Sequence, residues 1–498
     1  MKLRFLEILL TLVILLAFLG LIIPHLYMSS WMQYAALIGV LLAAAQILAE
    51  GPRWQMIPAY SLTVFLFIIW LLRYVLPGGV HVSPVVSWFS IGIGVIMLII
   101  SIILPFLSPV FQFPEPTGLY AIGTVIYHWV DASRPELFST DPNDRRELMV
   151  QVWYPAKNKS SAQRAPYIQN AEAVAPALAR LFHMPWFLFT HFKYVTTNAI
   201  PYAPITDNQS SFPVLIYLTG LDGFRAASTF QIEELVSHGY IVVGLDQPGA
   251  VALVLFPDGR KISGWSKNEI NPLTMQSIEP QPNAPMMHGK TLPNGILPYF
   301  AQDVSFTLDQ LSKINASDPN HILTGHLDLG HVGIFGISLG GENAAEACLK
   351  DARLKACLIM DVWMPAEVVK RGLRQPCMFI TRDADTMRLE RERIGGWTEK
   401  DIELTLTTMR AVYESLPGDG YYLEILKMFH LNFTDAPFWF PISSQLGLTG
   451  PIRARRGSEI LNAYSLAFFN KYLLDQPSSL LNGPSKQFPE VKIEMHKH

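Results

Sequence analysis

Hydrophobic residues are unevenly distributed along the chain, and the first part carries most of the excess. Four apolar segments there each approach the ~20 residues that an α-helix needs to cross the hydrocarbon core of a bilayer. Breaks rich in proline and glycine separate them, and Trp or Tyr stands near several ends, as is typical of membrane interfaces. We therefore predict a transmembrane region, residues 1–110, with helices over 5–23, 31–49, 60–76 and 86–107.

A cleaved signal peptide followed by core helices is the alternative interpretation of this region. A signal sequence has one short apolar stretch, however, and three more follow here. The few charges place Lys2, Arg4 and Arg53 on one side of the spans and Arg73 on the other. The positive-inside rule then predicts a multi-pass protein of the cell membrane whose following domain lies on the cytoplasmic side.

Beyond residue 110 the pattern changes to strand-like runs that alternate with amphipathic helical stretches. Several runs are continuously apolar, as central parallel strands buried on both faces should be. The predicted strands are 147–155, 213–218, 240–246, 331–336, 356–361, 376–381 and 421–426. The predicted helices are 226–238, 299–314, 341–350, 402–415 and 457–473.

This alternation predicts an α/β domain over 111–480, built on a doubly wound, mostly parallel sheet. In such a sheet the ligand site lies beyond the carboxyl ends of the strands. Two stretches, around 156–212 and 247–298, are too long for simple connections and predict a cap over that site. Residues 481–498 are interpreted as a polar C-terminal tail.

Composition removes several function classes. Half of the 498 residues are hydrophobic and 16% are charged, with a net charge of −3, so nothing indicates a basic surface for nucleic acid. The three cysteines, Cys348, Cys357 and Cys377, form no C-x-x-C pair and lie in apolar stretches, which argues against a disulfide framework and against zinc.

Metal and cofactor chemistry find no support in the sequence either. His321, His326 and His331 recur at a spacing that neither a helix nor a strand brings to one face, so they are interpreted as loop histidines. No glycine-rich loop of a nucleotide or dinucleotide site is present. We expect no cofactor and no metal.

One short motif carries candidate chemistry. Residues 336–340, G-I-S-L-G, match G-x-S-x-G between an apolar strand and a predicted helix. In a strand-to-helix elbow the small residues allow a strained serine backbone and close packing, which makes Ser338 a candidate nucleophile. The alternative is a plain glycine-rich turn.

A serine nucleophile needs a base and an orienting acid, which follow in the order Ser, acid, His in this type of fold. Asp361 ends the strand after Ser338, whereas Asp383 and Asp385 end the next one, and position alone does not choose among them. The base is clearer, because His430 is the only histidine between Ser338 and the final tail.

Such a site also needs backbone amides to bind the oxyanion. One is the amide after the nucleophile, that of Leu339, and the helix beginning there would add its dipole. The other would come from the loop 219–223, T-G-L-D-G, which follows the strand 213–218. An ordinary strand-to-helix turn is an equally good interpretation of that loop alone.

At this point the chain resembles the platelet-activating factor acetylhydrolase family of serine esterases. The likeness covers about 117–473 and rests on segments that include "RRELMVQVWYPA", "PVLIYLTGLDGFR", "ELVSHGYIVVGLDQPGA", "GISLGGENAAEACLKDARLKACLIMDVWM" and "HLNFTD". The resemblance implies an α/β-hydrolase fold. It also implies roles for five residues: nucleophile Ser338, acid Asp361, base His430, and oxyanion amides of Leu221 and Leu339.

The chain departs from the family pattern at three positions. Thr219, Gln247 and Ile337 stand where relatives usually have histidine. These positions lie near the elbow, so their local packing and the pH profile are expected to differ from those of relatives. The triad implied by the resemblance is complete.

Together these features predict a membrane-anchored serine hydrolase that cleaves carboxylic esters through an acyl-enzyme, with short acyl chains of phospholipid-like substrates as its target. The partners expected are a lipid or small ester and the bilayer. The alternatives are a general carboxylesterase or polyester hydrolase, and a non-catalytic membrane scaffold with a lipid-binding domain. The sequence does not indicate an oligomeric state.

Overall fold

The structure, a computed structural model, describes residues 4–23, 34–76, 83–157 and 162–496. Apolar helices come first along the chain, and a mixed α/β domain follows. The described helices of the first part are α1 (Phe5–Ile22), α2 (Ala35–Ala49), α3 (Ile57–Val75) and α4 (Pro84–Leu107).

Three helical segments of this first part are long and apolar enough to cross a membrane: Phe5–Ile22, Trp54–Val75 and Pro84–Leu107. The second predicted span, 31–49, differs. Its first residues lie outside the described part of the chain, and α2 as described has 15 residues, short of the ~20 that a span needs. Among the described residues there are thus three candidate spans where the sequence predicted four.

Polar contacts join the helices of the first part to one another, and others join them to the α/β domain. Glu7 and Arg53 are both buried, and Arg53 donates from Nε to Glu7 Oε1 at 2.8 Å. The same guanidinium donates from Nη1 to the carbonyl of Ser108 at 2.8 Å, just beyond α4. The Tyr194 hydroxyl donates to the carbonyl of Pro52 at 2.7 Å, so a segment of the domain contacts the turn before α3.

The α/β domain is built on one sheet, which has ten strands in the described residues. Its strands, with those of two small hairpins, are β1 (Ala121–Pro135), β2 (Arg145–Ala156), β3 (Ile200–Pro201), β4 (Phe212–Leu218), β5 (Ile241–Asp246), β6 (Leu253–Leu255), β7 (Lys261–Ser263), β8 (Met286–Met287), β9 (Lys290–Thr291), β10 (Leu327–Ile337), β11 (Leu354–Met360), β12 (Cys377–Thr381), β13 (Gly420–Ile425) and β14 (Val491–His496). The order in the main sheet is β14-β13-β12-β11-β10-β4-β5-β2-β1-β3, while β6–β7 and β8–β9 pair separately.

The centre of the sheet, from β13 to β5, is parallel, and antiparallel pairing is found between β13 and β14, β5 and β2, and β2 and β1. This confirms the prediction of a mostly parallel sheet. All parallel strand ends in this centre point to one edge, because parallel strands share a direction. That edge carries the loops in which the candidate site residues lie.

Helices cover both faces of the sheet, and this explains the continuous apolar strands. The remaining described helices are α5 (Ala171–Leu181), α6 (Thr229–Ser237), α7 (Lys267–Ile278), α8 (Leu297–Ala316), α9 (Leu339–Lys350), α10 (Ala366–Arg371), α11 (Ala384–Ile394), α12 (Glu399–Glu414), α13 (Ala436–Trp439) and α14 (Ala454–Leu473). Neighbouring residues of β11 pack into opposite layers: Leu358 contacts the layer of α6 and α14, and Ile359 contacts that of α8, α9 and α12. Both side chains are fully buried, so neither face of the strand tolerates a polar residue.

The C-terminal end differs from the prediction of a polar tail. Residues 491–496 form β14, an edge strand antiparallel to β13, with Leu423 opposite Ile493. Val491 and Ile493 are buried, while Lys492 between them is exposed. This alternation is only three residues long and sits among charges, so its strand character depends on the partner that the fold supplies.

The cysteine prediction is wrong in one respect. Cys348, near the end of α9, and Cys357, in β11, form a disulfide with their Cα atoms 6.8 Å apart. Sequence spacing could not show this pair, because it depends on α9 packing against the strand that follows it. Cys377 is a buried free thiol, as its apolar surroundings in the sequence indicated.

Candidate active site

The candidate nucleophile stands on a sharp turn between β10 and α9. Ser338 has φ 55° and ψ −133°, a backbone conformation that is rare for a residue with a side chain. The glycines around it are required by space: a Cβ on Gly340 would collide with the carbonyl of Leu218, and one on Gly336 with that of Gly340. The strand, the elbow and the helix therefore have the form that the G-x-S-x-G motif predicted.

Asp361 and His430 form a direct pair. Asp361 is the first residue after β11, is almost fully buried, and has φ 51°. Its Oδ2 lies 2.6 Å from His430 Nδ1, and its Oδ1 accepts a hydrogen bond of 3.1 Å from the Thr381 hydroxyl. Burial by itself would raise the pKa of Asp361, but the charge of Arg382 and the hydrogen bond with His430 outweigh it and hold that pKa well below its usual range.

The sheet brings Ser338 beside this pair. β10 and β11 are parallel neighbours with Ile337 opposite Met360, and the amide of Ser338 donates to the carbonyl of Met360 at 3.1 Å. Ser338 and Asp361, the next residues of the two strands, thus leave the sheet side by side. His430 follows β13 and reaches back across the end of β12. Within the described residues the Ser338 hydroxyl makes no hydrogen bond. The Asp361–His430 contact is therefore formed without a hydrogen bond from Ser338.

The two other candidate acids are occupied elsewhere. Asp383 caps the start of α11, where its carboxylate accepts hydrogen bonds from the amide and hydroxyl of Thr386 at 3.0 and 2.6 Å. The side chain of Asp385 is 92% exposed and pairs with Arg388. Of the three candidate acids, Asp361 is the one whose carboxylate contacts His430.

The loop after β4 closes over the nucleophile. A Cβ on Gly220 would lie 3.1 Å from that of Ser338, so the loop backbone passes directly against the serine. Asp222, in the left-handed region at φ 58°, turns the chain there, and its amide donates to the carbonyl of Ala250 at 2.8 Å. The amides of Leu221 and of Leu339, the first residue of α9, make no hydrogen bond within the described part of the chain. Both are therefore available to a ligand.

The three positions that depart from the family pattern lie around this elbow. Ile337 is buried in the core at the end of β10, and Thr219 is buried in the loop after β4. Gln247 makes side-chain hydrogen bonds at both ends of its amide. The nitrogen donates to Asp303 Oδ2 at 2.9 Å, and the oxygen accepts from Asn343 of α9 at 3.2 Å. A glutamine thus links the helix behind the nucleophile to a buried carboxylate.

Sequence reasoning missed three residues next to the Asp361–His430 pair. Arg382 follows β12 directly, has a fully buried side chain, and lies with Nε 2.8 Å from Asp361 Oδ2. Glu390 of α11 pairs with Arg382, and the ring of Trp397 lies 4.5 Å from the guanidinium carbon and 5.0 Å from the His430 ring. The one available signal was an arginine directly at the end of a continuous apolar strand, "CMFITR".

The predicted cap segment 247–298 contributes apolar side chains around the site. Trp265, together with residues of α7 and α8, belongs to one buried cluster that also includes Leu221 and Leu339. Trp363, two residues after Asp361, packs edge-on against Trp397. An apolar, aromatic surrounding of this kind suits the acyl chain of an ester.

Among the described residues no group of three or more His, Cys, Asp or Glu side chains is arranged to hold a metal ion. His326 lies before β10, with Nδ1 3.0 Å from the carbonyl of Ser210. His331 lies within β10 and pairs with Asp328, so its interpretation as a loop histidine is wrong.

Comparison with known proteins places this geometry in a family. The model of the family "Platelet-activating factor acetylhydrolase, isoform II" matches residues 107–256 and 312–483. A probable 1-alkyl-2-acetylglycerophosphocholine esterase of Arthroderma benhamiae is 24% identical over 412 residues, which is 76% of this chain and 93% of that protein. The platelet-activating factor acetylhydrolase of Cavia porcellus is 26% identical over 304 residues, 57% of this chain and 64% of that protein.

The fold is found in a solved structure as well. A ferulic acid esterase from Streptomyces cinnamoneus superposes with a TM-score of 0.58 at 24% identity, covering 77% of this chain and 99% of that one. The region matched by the family model contains Ser338, Asp361 and His430. The chain therefore belongs to the platelet-activating factor acetylhydrolase isoform II family and is a carboxylic ester hydrolase.

Proposed function

We propose that this protein is a membrane-anchored serine esterase that removes short acyl chains from phospholipid-like substrates, with Ser338, His430 and Asp361 as its triad. The observation that carries the proposal is the 2.6 Å contact between Asp361 and His430 beside a serine on a strained elbow. Serine hydrolases need this combination, since the acid fixes the imidazole that activates the serine.

In the proposed mechanism the Ser338 oxygen attacks the ester carbonyl while His430 Nε2 takes the hydroxyl proton. Asp361 accepts from Nδ1–H, so the imidazolium that forms is oriented and stabilised. The amides of Leu221 and Leu339 bind the oxyanion of the tetrahedral intermediate. Its collapse breaks the ester C–O bond, His430 returns the proton to the leaving alcohol, and an acyl-serine remains. Water then repeats the sequence with the same base and releases the acid.

The substrate class is supported by the relatives' names and by the surroundings of the site. The Arthroderma relative is named for cleavage of 1-alkyl-2-acetylglycerophosphocholine, an ester with a short acyl chain. The apolar side chains packed around Leu221 and Leu339 would exclude water from the oxyanion. A general carboxylesterase would use the same catalytic residues. Preference for acyl length and for head group therefore separates that hypothesis from a phospholipid-like substrate.

Membrane anchoring is proposed from the three candidate spans. Large apolar side chains of these helices face outward, as lipid-facing residues do: Leu12, Phe65, Trp88 and Phe106 are all between 39 and 74% exposed. The side of the membrane has two opposing indications. The sparse charges predict the cytoplasmic side, whereas the Cys348–Cys357 disulfide is typical of an oxidising compartment. Protease protection of a C-terminal tag in sealed vesicles of known orientation decides between them.

The proposed activity is tested by labelling the detergent-solubilised full chain with a fluorophosphonate probe, alongside Ser338→Ala. We expect labelling of the wild type alone and hydrolysis of nitrophenyl acetate in preference to longer acyl esters. A panel of phospholipids with acetyl, butyroyl and palmitoyl groups at one position then tests the substrate class. Equal labelling of both proteins would reject the triad and favour a non-catalytic scaffold, and a flat chain-length profile would favour a general esterase.

A further inference from the structure

The acid of the proposed triad contacts an arginine as well as the histidine. Arg382 Nε lies 2.8 Å from the same Asp361 oxygen that contacts His430, and the side chains of Arg382 and Asp361 are both fully buried. The Thr381 hydroxyl donates to the other oxygen, so both oxygens of the Asp361 carboxylate have partners. The Arg382 contact is a close charge pair whose Nε–H direction is poorly aligned, so its effect is mainly electrostatic.

The charge of Arg382 is balanced by a second carboxylate. Glu390 of α11 has a side chain that is 2% exposed and forms an ion pair with Arg382 Nη1. The same carboxylate accepts from the backbone amide of His430, with N–O distances of 3.2 and 3.3 Å. A closed ring therefore runs from His430 through Asp361, Arg382 and Glu390 back to the His430 backbone.

Trp397 covers this ring. Its side chain stacks over the Arg382 guanidinium at 4.5 Å and lies 5.0 Å from the His430 ring. It is held there by a turn of unusual backbone, in which Gly395, Gly396 and Trp397 all have positive φ. The indole covers the guanidinium from the outside, so the charges beneath it interact in a low-dielectric setting where they have large effects.

We propose that Arg382 is a positioning residue for the ester hydrolysis, which with Glu390 fixes the Asp361 carboxylate and sets the charge that the His430 imidazole experiences. This rests on the proposed function of Ser338, Asp361 and His430. With the imidazole neutral, the three charged side chains sum to −1, and protonation of His430 brings the group to zero. Removing the arginine makes the surroundings of His430 more negative, and removing the Glu390 charge makes them more positive.

The two changes have opposite consequences for the base. The charged or titratable groups that interact with His430 or with Asp361 are Arg382 after β12, Glu390 on α11 and Tyr422 on β13. Arg382→Met removes a positive charge from the surroundings of the base, so the acid limb of the rate profile moves to higher pH. In Glu390→Gln the imidazolium loses a counter-charge, so the same limb moves down.

The experiment measures kcat/KM for nitrophenyl acetate against pH, using the full chain in detergent. We expect the acid limb to move up by about 0.5–1 pH unit in Arg382→Met and down by a similar amount in Glu390→Gln. The double variant should return the limb close to its wild-type position while kcat stays reduced, because the carboxylate is no longer fixed. A purely structural role would reduce the amount of active protein and leave every limb where it was.

Arg146→Met is the matched control. Arg146 is also fully buried and paired with carboxylates, but it lies on β2, and five strands separate β2 from β13 in the sheet. Its loss should reduce stability and leave the acid limb in place. If Arg382→Met fails to fold, Glu390→Gln alone still decides, since an unmoved limb in that variant overturns the proposal. Hydrolysis that survives in Ser338→Ala would reject the triad itself, a result distinct from unmoved limbs in an enzyme that depends on Ser338.

Discussion

The N-terminal helices and the α/β domain distribute their polar and apolar residues in opposite ways. In the helices, large apolar side chains such as Trp88 and Phe106 are exposed, while Glu7 and Arg53 are buried together. In the domain the strands bury apolar side chains on both faces, and polar side chains gather at the carboxyl edge of the sheet. The difference is what a lipid environment for the helices and water for the domain would require. Buried charges join helices in the first part, whereas in the second they surround the candidate site.

The largest effect expected is the loss of turnover in Ser338→Ala. Removing a triad nucleophile lowers kcat by roughly 10⁴- to 10⁶-fold. The helices should be unaffected, so the variant should remain in the membrane fraction to the same extent. Steady-state hydrolysis and fractionation measure the two properties separately. Ser312→Ala, on α8 and away from the site, is the control, and a comparable loss of activity there would contradict the assignment.

The next effect concerns the helices. Glu7→Leu leaves the Arg53 guanidinium buried without its carboxylate, which costs about 3–5 kcal/mol for a broken buried pair. We expect the first thermal transition in detergent, followed by tryptophan fluorescence, to fall markedly. Glu7→Gln, which can still accept a hydrogen bond, should fall less. If hydrolysis of a soluble ester were lost together with the helices, the two parts would not be separable as the comparison states.

The disulfide offers the reverse experiment, because it lies wholly within the domain. Replacing both Cys348 and Cys357 by serine releases a short loop, and chain entropy predicts a loss of about 2–3 kcal/mol. Urea unfolding of the domain measures this, with the single-site Cys377→Ser variant as a control for the loss of a thiol. Unchanged stability would mean that the bond does not constrain the unfolded chain.

The smallest effect is a pH dependence of domain stability. Burial raises the pKa of Glu342, in the first turn of α9, from 4.5 to about 8. A raised carboxyl pKa stabilises the fold below the unfolded value, and that stabilisation is lost as the pH rises from about 4.5 through about 8. Glu342→Gln should remove this dependence over the same window in unfolding experiments. The exposed Glu403→Gln should not, and equal slopes in all three proteins would contradict the assignment.

The central fold could be predicted because its physical signal is local. A run such as "VGIFG" is apolar at every position since both faces of this part of β10 are buried, and G-I-S-L-G marks a turn that only small residues allow. Ser338 and His430 could be named because the sequence has few alternatives to them. The choice of Asp361 needed a resemblance, because a strand-end aspartate looks the same whether it caps a helix, as Asp383 does, or contacts a histidine.

What could not be predicted depends on partners that lie far apart in the chain. Arg382 and Glu390 look like ordinary charged residues at a strand end and on a polar helix, and their burial follows from where α11 and the loop of Trp397 pack. The Cys348–Cys357 bond depends in the same way on a helix folding back over the next strand. β14 has too short an alternation to be recognised without β13 beside it.

The contacts between the helices and the domain have a kinetic consequence. The Tyr194 hydroxyl of the domain donates to the carbonyl of Pro52, in the turn before α3, so the domain contacts the helical part directly. With the proposed anchoring, an enzyme held against a bilayer in this way binds substrate that lies in the surface, so its rate follows the mole fraction of substrate there. Diluting the substrate with inert detergent at constant bulk concentration would then slow the enzyme, and breaking the contact between helices and domain would weaken that dependence.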